Sequence, residues 1–239
     1  MPDFGVLLFP GSNCESDCYH AIKEVLGQPC DIVWHEETSL EGIDCIVVPG
    51  GFSYGDYLRA GAIARFSPVM NPLARLAAEG VPIIGICNGF QILVESGLLP
   101  GAFLHNSSLR FVCRWTYLRV EDTDTPFTWL LREGDVLKLP VANAQGNFVL
   151  KAGVIPRTVL RYCEPNGEYN DAANPSGSQD AIAGVANAQG NVLGMMPHPE
   201  RSAESVFGSE DGRKMFESAV SWIESHKNRE SALRMQEQT

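Results

Sequence analysis

The sequence Pro-Ile-Ile-Gly-Ile-Cys-Asn-Gly-Phe-Gln, at residues 82–91, contains the turn around which the fold is predicted to form. Residues 81–86 are apolar and rich in β-branched side chains, which is typical of a buried strand in a parallel sheet. Residues 90–96 continue with the apolar spacing of a helix. The sequence therefore predicts a strand, a sharp turn at Cys87 and a helix.

Two glycines flank Cys87, with Gly85 two residues before it and Gly89 two residues after it. This is the spacing of a strand-to-helix elbow, in which small neighbours allow a strained turn to lift a nucleophile above the sheet. The helix N-terminus favours a thiolate, and the backbone N–H of Asn88 can stabilise an oxyanion. The pattern indicates a nucleophilic Cys87, although a buried cysteine at a strand end has the same pattern.

A histidine and a glutamate follow another predicted strand, at residues 192–196. Because side chains two residues apart lie on the same side of an extended chain, His198 and Glu200 are expected to approach each other, stiffened by the intervening Pro199. A nucleophilic cysteine requires a base and a group that orients it, and this pair supplies both. Taken alone, the segment is also compatible with a surface loop.

The order of the remaining segments predicts an α/β fold with an open, mostly parallel twisted sheet and helices on both faces. A strand at 5–9 precedes a helix that runs to about Leu26, and strands at 31–34 and 43–48 follow. Shorter β-type segments in the second half predict a small additional β region; they lie at 111–120, 136–139, 158–163 and 181–186.

The third strand ends at Pro49-Gly50-Gly51, and its carboxyl end is expected at the same sheet edge as Cys87. A glycine leaves its backbone N–H unobstructed. Gly51 is therefore the predicted second oxyanion donor, beside Asn88, while an ordinary turn is the alternative interpretation.

The composition limits the possible classes of protein. The formal charge of −11, with only 18 Lys and Arg residues, argues against a surface for nucleic acid or for an anionic membrane. No apolar run approaches the roughly 20 residues of a membrane span. We expect one domain over residues 1–225 and a polar tail over residues 226–239 that frays, after a last helix at 208–224.

Seven cysteines without framework spacing indicate reduced thiols in a cytoplasmic protein. Cys14 and Cys18 are one helical turn apart, as metal ligands can be. No second cysteine pair or histidine pattern completes a tetrahedral site, so no metal is predicted.

Three motifs together resemble the class I, triad-type glutamine amidotransferases: Gly-Ile-Cys-Asn-Gly-Phe-Gln at 85–91, Pro-Gly-Gly-Phe-Ser-Tyr-Gly-Asp at 49–56 and Met-Met-Pro-His-Pro-Glu-Arg at 195–201. Within this class, the chain is most similar to the glutaminase subunits of phosphoribosylformylglycinamidine synthases. Further matching segments lie at 9–14, 56–62 and 106–111. The resemblance covers about residues 4–222.

The resemblance implies an enzyme that hydrolyses glutamine through a thioester on Cys87, with His198 moving protons and Glu200 orienting its ring. It also implies that Gln91 lies near bound glutamine. Arg110 is a weaker candidate for contact with the α-carboxylate or α-amine of the substrate.

The resemblance implies as partners a large synthetase subunit and a small accessory subunit of the same complex. The ammonia would be used with ATP to convert formylglycinamide ribonucleotide to formylglycinamidine ribonucleotide in purine biosynthesis. Because this chain has no G-x-x-x-x-G-K-[ST] loop, ATP and Mg²⁺ are expected in the synthetase subunit.

Two other classes of function remain open at this point. One is a hydrolase or peptidase of the same elbow-cysteine architecture that acts alone. The other is a non-catalytic binding module. The His-Pro-Glu segment and Gln91 favour the amidotransferase over the first, and the intact set of Cys87, His198 and Glu200 argues against the second.

The heptapeptide Val-Ala-Asn-Ala-Gln-Gly-Asn occurs twice, at 141–147 and at 185–191. Its flanking sequences differ, so we interpret the repetition as coincidence rather than as a structural repeat. In the first copy, Asn143-Ala144-Gln145 stands where the resembled family usually has a His-Gly-Glu-type sequence. Neutral amides replace the titratable groups there.

Overall fold

The computed structural model describes residues 1–237, with side chains described for residues 1–229. Eleven strands and four α-helices lie in this range. The strands are β1 (Phe4–Leu8), β2 (Cys30–Trp34), β3 (Cys45–Val48), β4 (Ile83–Ile86), β5 (Ala102–Leu104), β6 (Val112–Val120), β7 (Val136–Asn143), β8 (Asn147–Val149), β9 (Arg157–Cys163), β10 (Ile182–Ala186) and β11 (Val192–Met195). The helices are α1 (Glu15–His20), α2 (Met70–Ala78), α3 (Asn88–Glu95) and α4 (Asp211–Glu237).

Nine strands form one sheet in the order β2-β1-β3-β4-β11-β10-β9-β6-β7. The first five are parallel to one another, and each later neighbour is antiparallel. The predicted fold class is confirmed. The antiparallel strands extend the main sheet, and β5 and β8 form a separate two-stranded sheet, which the sequence did not predict.

The core is densest where α3 packs on the parallel strands. Strands β3, β4 and β11 are buried along their whole length. Phe90 on α3 is fully buried and contacts the rings of Phe103 and Phe148, which belong to the small sheet, at centroid distances of 4.8 and 5.3 Å. Burying each such side chain contributes roughly 1.5–3 kcal/mol, which fixes α3 and the elbow that precedes it.

The strand order determines where the predicted site residues meet. Strands β3, β4 and β11 are adjacent and parallel, so their carboxyl ends lie side by side at one edge of the sheet. Gly50 follows β3, Cys87 follows β4 and His198 follows β11. The edge therefore brings together three segments that are far apart in the sequence.

The C-terminal helix is longer than predicted. Instead of ending near residue 224, α4 continues to Glu237, so segment 226–237 has a helical backbone rather than a frayed one. At the start of the segment 226–237, His226 stacks on Trp222 with ring centroids 3.7 Å apart, and Nζ of Lys227 lies 2.6 Å from Oδ2 of Asp44. Residues 238–239 of the predicted tail lie outside the described residues, and the domain boundary at residue 225 stays a prediction. None of the described helices is long and apolar enough to cross a membrane.

Candidate active site

The predicted elbow forms at Cys87, between β4 and α3. Cys87 has φ 51° and ψ −104°, a conformation that is strained for a residue with a side chain, and its N–H donates to Met195 O at 2.7 Å. Gly89 makes the turn possible, because a Cβ there would lie 1.8 Å from Val48 O. The strand, the helix and the neighbouring strand β3 thus hold the cysteine in one position.

The thiol of Cys87 is only 6% exposed. Its Sγ lies 3.7 Å from Ala142 O, at the end of β7, to which the S–H donates weakly. The antiparallel part of the sheet therefore reaches back to the elbow and contributes backbone to the candidate site.

The structure brings His198 and Glu200 together as predicted, but by a different local geometry. A 3₁₀ turn begins at Pro199, and it places Glu200 Oε1 2.6 Å from Nδ1 of His198. The contact thus comes from a turn rather than from alternation along an extended chain. Both side chains are buried, and His198 N–H donates to Pro140 O at 2.9 Å, which fixes the segment against β7.

The environment of His198 favours its protonated form. Burial alone lowers the pKa of the imidazole, but the carboxylate of Glu200 and then the thiol of Cys87 outweigh this effect and hold the pKa well above its usual range. Nε2, the ring atom not facing Glu200, forms no hydrogen bond within the described part of the chain. It is thus available for a proton transfer with a reacting group.

The backbone of Gly50, which follows β3, lies beside Cys87 and His198. A Cβ on Gly50 would lie 2.9 Å from Cε1 of His198 and 3.5 Å from Cβ of Cys87. The two side chains therefore lie on the same side of the Gly50 backbone.

The next peptide is held in a defined orientation. Gly50 O accepts hydrogen bonds from the N–H groups of Asn13 and Cys14 at 3.5 and 3.3 Å. Because the carbonyl and the N–H of a trans peptide point in opposite directions, the Gly51 N–H is turned away from the start of α1. Gly51 has φ +144°, and a Cβ there would lie 2.7 Å from Asn13 N, so no other residue fits. Gly51 stays the predicted second oxyanion donor.

The side chain of Asn88 connects the elbow to its surroundings. Its Oδ1 accepts from Ser53 N at 3.0 Å, and its Nδ2 donates to Asp56 Oδ1 at 3.2 Å and to Gln91 Oε1 at 3.0 Å. Gln91 in turn donates to Gln145 O at 2.8 Å. Both ends of the Gln91 amide are thus engaged by the protein, which fixes this side chain one turn after Cys87 on α3.

The loop around Asn143 is held by a residue that sequence reasoning did not identify. Asn106 is fully buried; its Nδ2 donates to Asn143 O and to Arg110 O, each at 2.9 Å, and its Oδ1 accepts from Gly146 N at 2.8 Å. Asn106 lies in the segment 106–111 that matches the resembled family, but the sequence assigned it no role. The side chain of Arg110 is exposed, and only its backbone is tied to the site loop.

Cys14 is a second residue whose position was not predicted. Its buried thiol lies beside the ring of His198, and Nη2 of Arg201 is 3.1 Å from its Sγ. Burial raises the pKa of this thiol despite the contact with His198.

Among the residues whose side chains are described, one group could offer ligands to a metal. Donor atoms of Cys14, His198 and Glu200 lie within 4.8 Å of one another. The guanidinium of Arg201 against Cys14 and the short His198–Glu200 hydrogen bond already use this space, which fits a hydrogen-bonded set better than a cation. Cys18, predicted as the possible partner of Cys14, is buried in the core.

Comparison with known proteins agrees with this architecture. The family described as "CobB/CobQ-like glutamine amidotransferase domain" matches residues 1–223. The chain therefore belongs to the glutamine amidotransferase family.

Within that class, the chain is similar to subunits of one enzyme. Phosphoribosylformylglycinamidine synthase subunit PurQ of Moorella thermoacetica is 53% identical over 227 residues, covering 92% of this chain and 96% of the relative. The subunit PurQ of Salinibacter ruber is 52% identical over 226 residues, with 92% and 96% covered. The solved structure "Structure of PurLQS from Thermotoga maritima" contains a chain with a TM-score of 0.85 and 44% identity, with 93% of this chain and 99% of that chain covered.

Proposed function

We propose that this chain is the glutaminase subunit of a phosphoribosylformylglycinamidine synthase. It hydrolyses the side-chain amide of L-glutamine and delivers ammonia to a synthetase subunit. The observation that carries the proposal is the position of Cys87, on a strained elbow at the sheet edge where the buried His198–Glu200 pair, with its 2.6 Å hydrogen bond, also lies.

In the first step, His198 takes the proton of the Cys87 thiol, and Sγ attacks the amide carbon of glutamine. An S–C bond forms, the C–N bond breaks, and His198 gives its proton to the leaving nitrogen, so that ammonia departs and a γ-glutamyl thioester remains. His198 then takes a proton from water, whose oxygen attacks the thioester and releases glutamate and the Cys87 thiol. Because His198 is buried beside Glu200, its cation is stabilised during both steps.

The backbone N–H groups of Gly51 and Asn88 are proposed to donate to the oxyanion in both steps. Gln91 forms part of the glutamine pocket through its fixed side chain. Arg110 is proposed to contact the α-carboxylate of glutamine. Its backbone is held by Asn106, and its side chain is exposed and, among the described residues, is not engaged elsewhere in the site loop.

The synthetase reaction and the partners are proposed from the relatives. PurQ relatives bear the name of a phosphoribosylformylglycinamidine synthase subunit, and one similar chain belongs to a PurLQS structure. We propose that the partner synthetase binds ATP and Mg²⁺ and aminates formylglycinamide ribonucleotide, since this chain lacks a phosphate-binding loop. Seven free cysteines support a site of action in the reducing cytoplasm.

The proposal is tested by measuring glutamate release from glutamine by the full chain, alone and with the synthetase and accessory subunits encoded in the same genome. We expect release that rises when those subunits are added, because the site mouth is completed in the complex. Cys87→Ala should abolish it in both cases while the folded structure persists. Turnover of glutamine by Cys87→Ala, or none by the wild-type complex, would contradict the proposal.

A further inference from the structure

The side chain of Asn88 is at the centre of a hydrogen-bond network that the proposed reaction does not use. It is 1% exposed, and it connects its own helix to the 53–56 turn. Through Ser53 it reaches the loop that follows Gly51, through Asp56 the end of that loop, and through Gln91 the first turn of α3.

The direction of these hydrogen bonds leaves the Asn88 amide one orientation. Gln91 donates its Nε2 to Gln145 O, so its Oε1 faces Asn88 and requires a donor there. Nδ2 of Asn88 supplies that donor, and Oδ1 is left to accept from Ser53 N. An amide satisfies both needs at once, whereas a carboxylate supplies no donor and an aliphatic side chain supplies neither.

The Ser53 contact is one of the hydrogen bonds that hold the segment carrying Gly51. Gly50 O is held by the backbone at the start of α1, and Ser53 N, three residues later, is held by Asn88. Phe52 N donates to Gly11 O at 3.0 Å between them, so backbone contacts hold one side of the segment and the side chain of Asn88 holds its other side, towards the elbow.

We propose that the Asn88 side chain is a positioning residue that sets the geometry of the oxyanion hole. Its backbone N–H is one proposed donor, and its side chain aligns the other donor, Gly51. This inference rests on the proposed glutaminase function. It assigns to Asn88 a role that its backbone alone cannot perform.

Asp56 contributes to the same arrangement. Partial burial raises its pKa to about 6, and the hydrogen bond from Asn88 counteracts part of that rise. Near neutral pH the carboxylate is ionised and accepts a charge-assisted hydrogen bond, which strengthens the hold on the 53–56 turn.

Asn88→Ala tests the inference because it keeps the backbone N–H and removes only the side chain. With the complex, we expect kcat for glutamate formation to fall about 10- to 100-fold, since a small displacement of an oxyanion donor has this effect. We expect KM for glutamine to change by less than about threefold, since ground-state binding is largely preserved. Alkylation of Cys87 by iodoacetamide should keep its wild-type rate, because that displacement forms no oxyanion.

Asn191→Ala is the matched control. Asn191 is a buried asparagine that donates to Ala77 O and Val81 O, outside the candidate site. Its replacement should lower thermal stability and leave kcat near the wild-type value. If Asn88→Ala does not fold, Asn88→Ser, whose side chain is too short to bridge the same groups, takes its place.

Backbone hydrogen exchange of residues 51–56 separates this inference from the proposed function. We expect faster exchange in Asn88→Ala than in wild type or Asn191→Ala, whether or not the protein turns over glutamine. Unchanged exchange or an unchanged kcat would overturn the inference. Equal losses in kcat and in the alkylation rate would also overturn it, because they would mean a general distortion of the elbow. An inactive wild-type complex would instead count against the proposed function.

Discussion

The two copies of Val-Ala-Asn-Ala-Gln-Gly-Asn have the same seven side chains and different structures. The first copy, 141–147, forms the end of β7, a short irregular loop and the first residue of β8. The second copy, 185–191, forms the end of β10 and the tight turn into β11. Gly190 in the second copy has φ +83°, whereas Gly146 in the first has no positive φ.

The contacts of the two copies explain the difference. In the first, Asn143 is buried and its Oδ1 accepts from Ser176 Oγ at 3.1 Å, while Gln145 O accepts from Gln91 beside the elbow. In the second, Asn187 stabilises its own turn, donating to Asn191 Oδ1 at 2.9 Å and accepting from Val192 N at 3.1 Å. The first copy is held by distant segments that include the elbow helix, whereas the second is held by its own turn and, through Asn191, by Ala77 O and Val81 O away from the candidate site.

The comparison shows that local sequence permits both conformations and that tertiary contacts select between them. The two copies also differ in their role in the molecule. The first copy borders the candidate site, and the second joins two strands. Identical substitutions in the two copies should therefore have different consequences.

The largest difference is expected for glycine to alanine. A Cβ on Gly146 would lie 2.4 Å from Asn143 Oδ1 and 2.5 Å from Ser176 Oγ, so Gly146→Ala must displace the site loop. We expect glutaminase activity of the complex to fall ~100-fold. Gly190→Ala should cost about 1–2 kcal/mol of stability, because of its left-handed φ, and keep its activity. Activity assays and denaturant unfolding of both variants test this difference. Equal activity of the two variants would contradict it.

The next difference is expected for asparagine to alanine. Asn143→Ala removes a buried acceptor at the site, and we expect kcat/KM to fall about tenfold. Asn187→Ala removes turn hydrogen bonds, and we expect a loss of about 1 kcal/mol in unfolding free energy with unchanged kcat/KM. Steady-state kinetics and urea titrations measure both quantities. A loss of activity in Asn187→Ala that matched the loss in Asn143→Ala would contradict the assignment.

The same contrast explains how much of the molecule could be predicted from its sequence. The parallel strands, the elbow and the approach of Gly50 to Cys87 followed from local patterns, because parallel strands bring their carboxyl ends to one edge of the sheet. The position of His198 beside them depends on β11 lying next to β4, which local patterns do not predict. The family resemblance added the glutaminase function and the synthetase partners, and the relatives agree with both.

The hydrogen bonds that hold the loop after β7 beside the elbow could not be predicted from the sequence. Asn106, Asn143 and Gln145 act through side chain to backbone hydrogen bonds between segments 37 to 54 residues apart. Such pairs leave no periodic signal in one sequence. The contact of Cys14 with His198 likewise depends on the order of the strands, which no local pattern predicts.

A smaller effect is expected from restoring the titratable residues that the family usually has in the first copy. If they transmit the effect of the partner, Asn143→His with Gln145→Glu should raise the stimulation by the synthetase subunits about fivefold and leave the unstimulated rate unchanged. Asn187→His with Gln189→Glu makes the same change in the second copy and should alter neither rate. Initial rates with and without the partner test this. Equal stimulation of all three proteins would show that the loop does not carry the coupling.

The smallest effect is expected in the pH dependence of the free energy of unfolding, through the carboxyl of Asp56. This residue is connected to the first copy through Asn88 and Gln91. Burial raises its pKa from 3.8 to about 6 in the folded protein. A carboxyl with a raised folded pKa binds its proton more tightly when folded, so its contribution to stability is full below about pH 4 and is lost as the pH rises through about 6. Partial exposure of Asp56 to solvent keeps the change small.

Asp56→Asn keeps an acceptor for Asn88 and removes the charge, so its stability should not show this fall between pH 4 and 7. Asp124→Asn, beside the second copy and 90% exposed, is the control and should follow the wild type. Urea titrations across this pH range measure the difference. Parallel curves for wild type and Asp56→Asn would exclude an effect of this carboxyl.

The central claim is that Cys87, and not the neighbouring Cys14, forms the bond to the substrate. Both thiols lie beside His198, but only Cys87 is on the elbow, with the following helix and the Gly51 peptide in place. The direct measurement is to quench the complex in acid during glutamine turnover and to locate the glutamyl thioester by peptide mass spectrometry. We predict the adduct on the peptide that contains Cys87. An adduct on Cys14, or continued glutamate formation with no thioester on Cys87, would contradict the account.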